Sequence, residues 1–533
     1  MIRKSLVLPA LLGMLAPVLA SCGMVGDSGG DGDAITVGTT DRLELTEENP
    51  APLDPATAYD INSWNVLHNT FQTLMRMPRT GSEPEPDAAE RCVFADRRSE
   101  QYRCTLRDGL TFTNGHDLTA EDVKFSIERM LKIKYDNGPY SLLTNVDTVE
   151  TPDERTVVFH LKTPDATFPL KLATPAAAIV DSEVYAKDEL YDGFEIAGSG
   201  PYSLEVEHEN DVATKAVYTG NEDYKGEVDP QNDGVEVRYF DDAKSMEDSI
   251  SAGDIDVMGR SLKPEQINRL DEGDSDVNLF ETPGAEIAYL VFDVQNPTVE
   301  DVAVRRAMAE LIDRTKLARD VYKRTVEPLF AMIPRGIIGH NTAFHDAYGD
   351  RPDVDSARAL LREADVETPV RLTLNYTTDH YGETTKAEFE ELRDQLNQSG
   401  LFDADIKGET WETFKKGYAD NRYAVYGLHW YPDFPDPDTF TASFVGAENF
   451  THNNYGSSVI EDLIPRTRQE AQRERTTDSF ERIQDVLASD VPYLPLWQGK
   501  QYIAARDTVT GAEWALNSSS TLQLWELGRG LSE

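Results

Sequence analysis

Three carboxylates lie close together in the segment 429–440, which reads HWYPDFPDPDTF. Asp433, Asp436 and Asp438 directly follow a predicted buried strand, and a strand end beside a cleft is a common place for ligand-binding groups in α/β folds. In a cleft that excludes water, one such carboxylate can accept two charge-assisted hydrogen bonds from a ligand ammonium. Asp436 and Asp438 are expected to brace the turn or cap a helix near Thr439. The alternative for all three aspartates is a solvated turn stiffened by proline.

Trp430 ends the predicted strand over 423–430 and could stack on a ligand side chain or fill the core near a hinge. Only His429 and His452, of nine histidines, lie near this segment. A lone histidine is more often structural than a ligand, so we predict neither a metal site nor a cofactor.

Catalytic motifs do not explain these carboxylates. The sequence lacks the His-Glu-x-x-His pattern of zinc peptidases and the phosphate-binding Gly-x4-Gly-Lys-Ser/Thr loop. The three aspartates also lack the glycine and the terminal glutamate of an EF-hand loop. A chain with 96 acidic residues offers many carboxylate pairs, and nothing singles out one pair as a glycosidase site. We therefore predict a binding protein rather than an enzyme.

The segment 105–131 is the clearest structural unit near the N-terminal end. Asp-Gly at 108–109 and Asn-Gly at 114–115 favour tight turns, because Gly and Asn tolerate positive φ. Thr119 and Asp122 have the spacing of a capping box. Apolar residues at helical spacing follow at Val123, Ile127 and Met130. The pattern predicts a small hairpin followed by an amphipathic helix.

Residues 106–130, LRDGLTFTNGHDLTAEDVKFSIERM, closely resemble a segment of the family 5 extracellular solute-binding proteins. These are the oligopeptide-, dipeptide- and nickel-binding receptors of ABC importers. Further landmarks of the family occur in the family's order along the chain, one before this segment and four after it: 53–55 (LDP), 198–202 (GSGPY), 221–226 (NEDYKG), 253–256 (GDID) and 490–496 (DVPYLPL). The resemblance covers nearly all of residues 36–533 and implies capture of a small ligand.

The implied fold is α/β, a two-lobed periplasmic-binding-protein-like fold with mixed sheets, a hinge between the lobes and an extra subdomain in the first lobe. About 500 mature residues are also too many for one compact core. The expected divisions are a signal peptide (1–21), a flexible tether (22–34), lobe I (35–78, 197–285 and 500–533), an inserted subdomain of lobe I (79–196) and lobe II (286–499).

The resemblance also implies a ligand site between the lobes. In peptide-binding members of the family, a carboxylate three residues after the tryptophan that matches Trp430 pairs with the ligand's α-ammonium, and Asp433 occupies that position here. The loop before a first helix, expected over 64–75, faces the cleft in the family. The residues expected to contact ligand are therefore Asp433, Trp430, Tyr59, Asp60, Asn62 and Tyr455.

Gly427 marks a difference from the family. Oligopeptide-binding relatives carry an arginine about three residues before the matching tryptophan, which helps to neutralise a ligand carboxylate. With glycine at this position, we expect no length-specific recognition of a peptide C-terminus. The difference favours a pocket that accepts longer peptides or non-peptide solutes.

The N-terminal residues resemble a bacterial lipoprotein signal. Arg3 and Lys4 precede an apolar run over 5–19, which is too short for a comfortable membrane span. Leu-Ala-Ser directly before Cys22 resembles a lipobox, so we expect cleavage before Cys22 and lipidation of its thiol. The Gly- and Asp-rich residues that follow predict a solvated tether. An ordinary secretory signal with an incidental cysteine is the alternative.

The composition excludes some partners. The chain carries 96 acidic and 51 basic residues, a formal net charge of −45. A nucleic-acid-binding protein needs a basic surface, so we predict no such partner. The acid excess fits a saline habitat or simply a very soluble exterior protein.

Cys92 and Cys104 are the two cysteines of the mature chain. Outside the cytoplasm, an even pair favours a disulfide. The two lie symmetrically about a polar turn at 97–100 between two short predicted strands, which makes a cross-strand bridge reasonable. Two buried free thiols are the alternative, and the absence of a Cys-x-x-Cys pattern argues against zinc.

We therefore predict a lipid-anchored receptor, monomeric and on the extracytoplasmic face of the cell membrane. It captures peptides between two lobes and delivers them to an ABC transporter permease. The alternatives are the same role for a non-peptide solute, such as an oligosaccharide or a nickel chelate, or a sensory lipoprotein that reuses the fold.

Overall fold

The structure is a computed structural model that describes residues 34–530, except 48, 80, 137, 260–261, 272–275, 446–448 and 518. The predicted signal peptide, the lipidation site Cys22 and all but the last residue of the tether lie outside the described residues.

The described part of the chain contains both strands and helices throughout. The strands are β1 (Ile35–Thr39), β2 (Met75–Arg76), β3 (Glu85–Pro86), β4 (Ala89–Phe94), β5 (Gln101–Leu106), β6 (Val146–Asp153), β7 (Thr156–Leu161), β8 (Tyr202–Glu209), β9 (Val212–Gly220), β10 (Gly234–Tyr239), β11 (Val257–Gly259), β12 (Val277–Phe292), β13 (Val326–Pro328), β14 (Val370–Thr377), β15 (Phe402–Glu409), β16 (Val425–Trp430), β17 (Tyr493–Arg506), β18 (Val509–Thr510) and β19 (Gly528–Arg529). The α-helices are α1 (Ile61–Thr70), α2 (Ala120–Ile133), α3 (Phe168–Lys171), α4 (Ala243–Ala252), α5 (Pro264–Asp271), α6 (Val302–Leu311), α7 (Arg314–Lys316), α8 (Ala343–Tyr348), α9 (Val354–Glu363), α10 (Thr385–Gln398), α11 (Trp411–Ala419), α12 (Ser458–Gln469) and α13 (Thr477–Asp490).

One mixed sheet runs through most of the described chain, in the order β15-β14-β16-β12-β17-β11-β1-β10-β9-β8. We use lobe I for the part built on β1 and β8–β11, and lobe II for the part built on β14–β16. The long strands β12 and β17 pair with each other and pass from one part to the other. Their register is irregular between Pro283 and Ile287, where the chain passes between the lobes.

A separate four-stranded antiparallel sheet, β4-β5-β7-β6, packs with α2 and belongs to the stretch 79–196. Cys92 and Cys104 are paired residues on β4 and β5, and they form the expected disulfide. The Thr119 backbone N–H donates to the Asp122 carboxylate at 2.9 Å, as the capping box predicts. The apolar stripe of α2 is buried, which confirms the amphipathic helix.

Lobe II also follows its sequence pattern. The alternating residues over 370–376 form β14, whose parallel neighbours are β15 and β16. Helix α10 buries Phe389, Leu392 and Leu396 against them, and Gly400 follows with a φ of 70°. Such a positive φ suits glycine at the end of a helix.

The first helix differs from the sequence prediction. It spans Ile61–Thr70 rather than 64–75, and the chain is already extended at Phe71. Asp60 starts the helix by accepting hydrogen bonds from the backbone N–H groups of residues 62 and 63. Residues 72–74 instead give their carbonyls to backbone N–H groups of residues 87–89 and 179. Tertiary hydrogen bonding thus overrides the helical pattern there.

Buried apolar side chains form separate clusters rather than one core. One surrounds the four-stranded sheet, two lie in lobe II and one covers the main sheet of lobe I. Phe434, which follows β16, is buried in the cluster around the four-stranded sheet. Phe434 of lobe II therefore packs in the core around the four-stranded sheet.

Candidate ligand-binding cleft

Tyr59 and Asp433 meet where the loop before α1 faces the end of β16. The Tyr59 hydroxyl donates to Asp433 Oδ2 at 3.3 Å, and the Thr439 hydroxyl donates to the same oxygen at 3.1 Å. Asp433 is only 7 % exposed. The contact joins lobe I to lobe II directly.

The Asp433 carboxylate lacks a cationic partner within the described part of the chain. Burial raises its pKa from the ordinary 3.8 to about 7, although the two hydroxyl donors and the more distant Lys171 act in the opposite direction. Lys171 itself forms a buried ion pair with Asp165, with Nζ 2.6 Å from Oδ2. The site therefore presents a desolvated carboxylate whose ionised form would be favoured by a positive charge from outside.

The negative charges of the two neighbouring aspartates, Asp436 and Asp438, are by contrast each balanced by an arginine. Arg473 forms two parallel hydrogen bonds to Asp436, at 2.7 and 2.8 Å, and Arg468 forms two to Asp438, at 2.9 and 2.8 Å. Burial alone would raise the pKa of Asp438, but the adjacent Arg468 outweighs it and holds that pKa below its usual range. Asp436 also caps the short 3₁₀ turn Pro437–Phe440.

Further contacts hold the two lobes together. The Ala166 N–H, next to the four-stranded sheet, donates to the Arg468 carbonyl of lobe II at 2.7 Å. Lys263 of lobe I forms an ion pair with Glu383 of lobe II at 2.5 Å. Together with Tyr59–Asp433 and the buried Phe434, these contacts describe a closed arrangement in which the lobes touch.

Asp60 and Asn62 lie beside Tyr59, where their polar groups serve the local structure. Asp60 caps α1, and Asn62 Nδ2 donates to the Arg42 carbonyl at 3.1 Å. Asn62 also lines a surface pocket with Thr39, Tyr239 and other residues at the carboxyl ends of β1, β10 and β11. This edge of a parallel sheet is a usual ligand-facing position.

Trp430 is packed between Phe444 and Phe450 in the core of lobe II, with ring centroids at 5.4 and 4.6 Å. Its indole Nε1 is buried and has no hydrogen-bond partner among the described residues. Tyr455 is buried in the same cluster, and its hydroxyl donates to Asp490 at 2.8 Å. No described hydrogen bond brings Tyr455 to Tyr59 or Asp433.

Gly427 lies on β16 against an aromatic ring. A Cβ at this position would lie 2.3 Å from Phe389 Cζ, so a larger side chain would require Phe389 to move. The space that an arginine would need is therefore occupied by the packing of α10 on the sheet.

Sequence reasoning missed Thr439 and Phe434 as parts of this site. The sequence pattern favours a helix start near Thr439, although a hydroxyl six residues after an aspartate can fold back onto it across a Pro-rich turn. Phe434, directly after Asp433, offers a signal in the sequence, because burial of a phenylalanine side chain is favourable.

No group of three or more His, Cys, Asp or Glu side chains that could hold a metal occurs among the described residues. His429, one of the two histidines near the predicted cleft, places Nδ1 2.9 Å from Glu286 Oε1 and stacks on Tyr381. In the described ranges, no helix has the length and apolar character needed to cross a membrane.

Comparisons with known proteins agree with this architecture. Residues 83–452 match the description "Bacterial extracellular solute-binding proteins, family 5 Middle". A probable D,D-dipeptide-binding periplasmic protein of Escherichia coli (strain K12) is 27% identical over 481 residues, which cover 87% of this chain and 89% of that protein.

Two solved structures share the fold at lower identity. A dipeptide-binding protein from Pseudoalteromonas sp. SM9913, in complex with Met-Leu, aligns with a TM-score of 0.80 at 17% identity and covers 93% of this chain and 100% of that one. The periplasmic binding protein AgaA from A. tumefaciens R10, in complex with agropinic acid, aligns with a TM-score of 0.79 at 19% identity and covers 94% and 99%.

The chain belongs to the bacterial extracellular solute-binding proteins of family 5. Its two-lobed α/β fold is that of periplasmic binding proteins, and members of this family are binding receptors rather than enzymes. The predicted family, fold class and non-enzymatic character are thereby confirmed.

Proposed function

We propose that this protein captures peptides with a free α-amino group between its two lobes and delivers them to the permease of an ABC importer. Asp433 accepts the ligand ammonium, and Tyr59 and Thr439 hold the carboxylate in place. Closure of the lobes then buries the ligand. The names of the D,D-dipeptide-binding and Met-Leu-bound relatives support this ligand class.

The observation that carries the proposal is the contrast among three aspartates of one turn. Asp436 and Asp438 each have an arginine, whereas Asp433 has only hydroxyl donors. A buried carboxylate without a cation is costly, and a ligand ammonium would supply the missing charge through charge-assisted hydrogen bonds.

The lobe boundaries that go with this proposal are those of the sequence analysis. Lobe I spans 35–78, 197–285 and 500–533, the inserted subdomain spans 79–196, and lobe II spans 286–499. The irregular register of β12 beside residue 285 supports a hinge at that crossing. A ligand shifts the open-to-closed equilibrium only through its stronger affinity for the closed form.

We further propose that the mature protein is a monomer anchored by a lipid on Cys22 to the outer face of the cell membrane. The Leu-Ala-Ser-Cys sequence at 19–22 and the Gly- and Asp-rich tether support this location. Two or more acyl chains would give stable anchoring, since a single chain binds membranes only marginally.

The far end of the ligand is held less specifically in this proposal. Phe389 occupies the space beside Gly427, so an arginine for a peptide carboxylate has no place there. Peptides of several lengths would then be accepted. A non-peptide solute is the second candidate, since the AgaA structure of the same fold holds agropinic acid.

The first test is native mass spectrometry of the protein lacking residues 1–22, purified without unfolding. A ladder of co-purified peptide masses is the expected result and would also give the length preference. A single non-peptide mass would favour the second candidate and remove the assigned role of Asp433.

The second test is isothermal titration calorimetry with tripeptides of matched sequence. Asp433→Asn should weaken binding of the peptide with a free amino group by about 30-fold or more, because it removes one partner of a buried charge pair. It should weaken the N-acetylated peptide far less. Asp420→Asn, which removes the same charge at an exposed site of lobe II, is the control. Equal losses for both peptides would contradict the proposal.

A further inference from the structure

The turn after β16 places one side chain of lobe II inside a core that otherwise belongs to lobe I and its inserted subdomain. Phe434 is only 1 % exposed and packs in the apolar cluster around the four-stranded sheet. Among the described residues, every other buried member of that cluster falls within 56–197. Phe434 therefore crosses between the lobes, and it does so directly next to Asp433.

The base of this turn is fixed to lobe II. Arg473 binds Asp436 through two parallel hydrogen bonds, at 2.7 and 2.8 Å. Arg468 binds Asp438 in the same way. The Asp436 N–H also donates to the Phe434 carbonyl at 2.8 Å. Since all these contacts lie within lobe II, Phe434 must leave the cluster with lobe II when the lobes separate.

Polar groups of the inserted subdomain contact the same part of lobe II. The Ala166 N–H donates to the Arg468 carbonyl at 2.7 Å. The neighbouring Asp165 is buried and forms an ion pair with Lys171, with 2.6 Å between Oδ2 and Nζ. Burial alone would raise the pKa of Asp165, but Lys171 and, from lobe II, Arg468 hold it below its usual range. An apolar anchor with polar contacts beside it is the usual composition of a protein interface.

Opening of the cleft would move the phenylalanine side chain from a dry core into water. Burial of such a side chain is among the larger favourable contributions that a single residue makes. Closure regains that contribution and brings the preceding residue, Asp433, to the Tyr59 hydroxyl. One movement therefore buries the aromatic ring and assembles the candidate ligand-binding carboxylate with its partner.

We propose that Phe434 is the closure anchor of this receptor, a positioning residue that docks in the apolar cluster when the lobes close and leaves it when they open. The inference rests on the proposed capture of a ligand between the lobes, but not on how the ligand ammonium is recognised. Peptide affinity then includes burial of one of the protein's own side chains, because the ligand favours the closed form. The inserted subdomain supplies part of the surface on which lobe II docks.

Thiol labelling tests whether Phe434 leaves the cluster in the native protein. The chain lacking residues 1–22 has two cysteines, and Cys92 and Cys104 form a disulfide, so Phe434→Cys carries one free thiol. Phe112→Cys is the matched control, because Phe112 is equally buried in the same cluster but belongs to the inserted subdomain. Without ligand, N-ethylmaleimide should react with Phe434→Cys about tenfold faster or more than with Phe112→Cys, since opening needs no unfolding of the cluster.

Peptide affinity supplies the second measurement. Phe434→Leu keeps an apolar side chain and is the variant to use if Phe434→Cys does not fold. It should weaken binding by about fourfold or more, which is the loss expected for at least one buried methylene group. The factor should be the same for free-amino and N-acetylated tripeptides. A residue that only stabilised the fold would lower the melting temperature and leave the affinity unchanged.

Two results would overturn this inference. Equal labelling rates in Phe434→Cys and Phe112→Cys would show that the turn does not part from the cluster unless the cluster unfolds. Unchanged peptide affinity in Phe434→Leu would show that burial of this side chain does not contribute to capture.

Failure of the proposed function would give a different pattern. Equal losses for the two tripeptides in Asp433→Asn would refute the ammonium assignment alone. Absence of peptide binding to the wild type would refute peptide capture. The thiol comparison needs no ligand, so in either case it would still decide whether Phe434 docks and leaves.

Discussion

The phenolic hydroxyl of Tyr59 lies 3.3 Å from the carboxylate of Asp433, although 374 residues separate the two in sequence. One residue precedes the first helix of lobe I, and the other follows a strand of lobe II. The contact therefore bridges the two lobes in the closed arrangement of this structure and involves the carboxylate that we propose as the ligand-binding group.

Peptide affinity should depend on pH through Asp433. In the folded protein the Asp433 carboxyl has a pKa of about 7, against 3.8 for an ordinary aspartate. Its contribution to the stability of the empty closed form therefore falls as the pH rises from about 4 to about 7. A ligand ammonium needs the ionised carboxylate. Affinity for a free-amino peptide should therefore rise about tenfold per pH unit up to about 7 and fall again above about 8, where the ligand amine deprotonates.

Calorimetry between pH 5 and pH 9 would measure this profile. In Asp433→Asn the rise in peptide affinity between pH 5 and pH 7 should disappear, while the fall in affinity above about pH 8 persists. A flat wild-type affinity between pH 5 and pH 7 would show that Asp433 does not bind the ammonium.

Tyr59→Phe should weaken peptide binding by a few-fold. The substitution removes one hydroxyl donor from Asp433 and one contact between the lobes, and a hydrogen bond of this kind contributes about 0.5–1.5 kcal/mol. Titration of the same peptide into both proteins measures the difference.

Tyr455→Phe is the matched control for that substitution. It also removes a hydroxyl bonded to a carboxylate, at 2.8 Å from Asp490, but within lobe II. It should reduce thermal stability and leave affinity unchanged. A loss of affinity as large as that of Tyr59→Phe would restore Tyr455 to the ligand site, where the family resemblance placed it.

Arg473→Met should strongly destabilise lobe II. The side chains of Arg473 and Asp436 are only 9% and 3% exposed, so the substitution leaves a buried aspartate without its cation. Breaking such a pair costs about 3–5 kcal/mol of unfolding free energy. Urea denaturation measures the loss.

Arg466→Met provides the comparison, because Arg466 and its partner Asp462 are 66% and 61% exposed. An exposed pair contributes about 0–1 kcal/mol, so this variant should unfold close to the wild type. Similar losses in the two variants would mean that burial does not set the strength of the Arg473–Asp436 pair.

Added salt should raise the melting temperature. With a net charge of −45, repulsion among acidic residues destabilises the folded state, and 1 M salt shortens the screening length to about 3 Å. Screening also weakens exposed ion pairs, but each contributes little, so relief of repulsion should dominate. Calorimetric scans from low salt to 1 M NaCl provide the measurement. A melting temperature that falls with salt would show that attractive pairs dominate.

Local patterns in the sequence predicted much of the fold. The capping box at Thr119, the alternation in β14 and the apolar stripe of α10 depend on neighbours within a few residues, and the structure has all three. The end of α1 could not be predicted in this way. Residues 72–74 lie outside the helix because residues 87–89 and 179 supply partners for their carbonyls, and that information lies more than ten residues away.

The same distinction between local sequence patterns and distant contacts applies to the candidate site. The sequence by itself determined the family, the two-lobed fold and the presence of three aspartates after a strand, because short motifs and their order carry that information. Only the tertiary structure decided that Arg473 and Arg468 compensate two of these aspartates, while Asp433 meets Tyr59 and Thr439 and has no cation among the described residues. The physical reason is that the state of a carboxylate depends on burial and on which distant charges reach it, and spacing along the chain specifies neither.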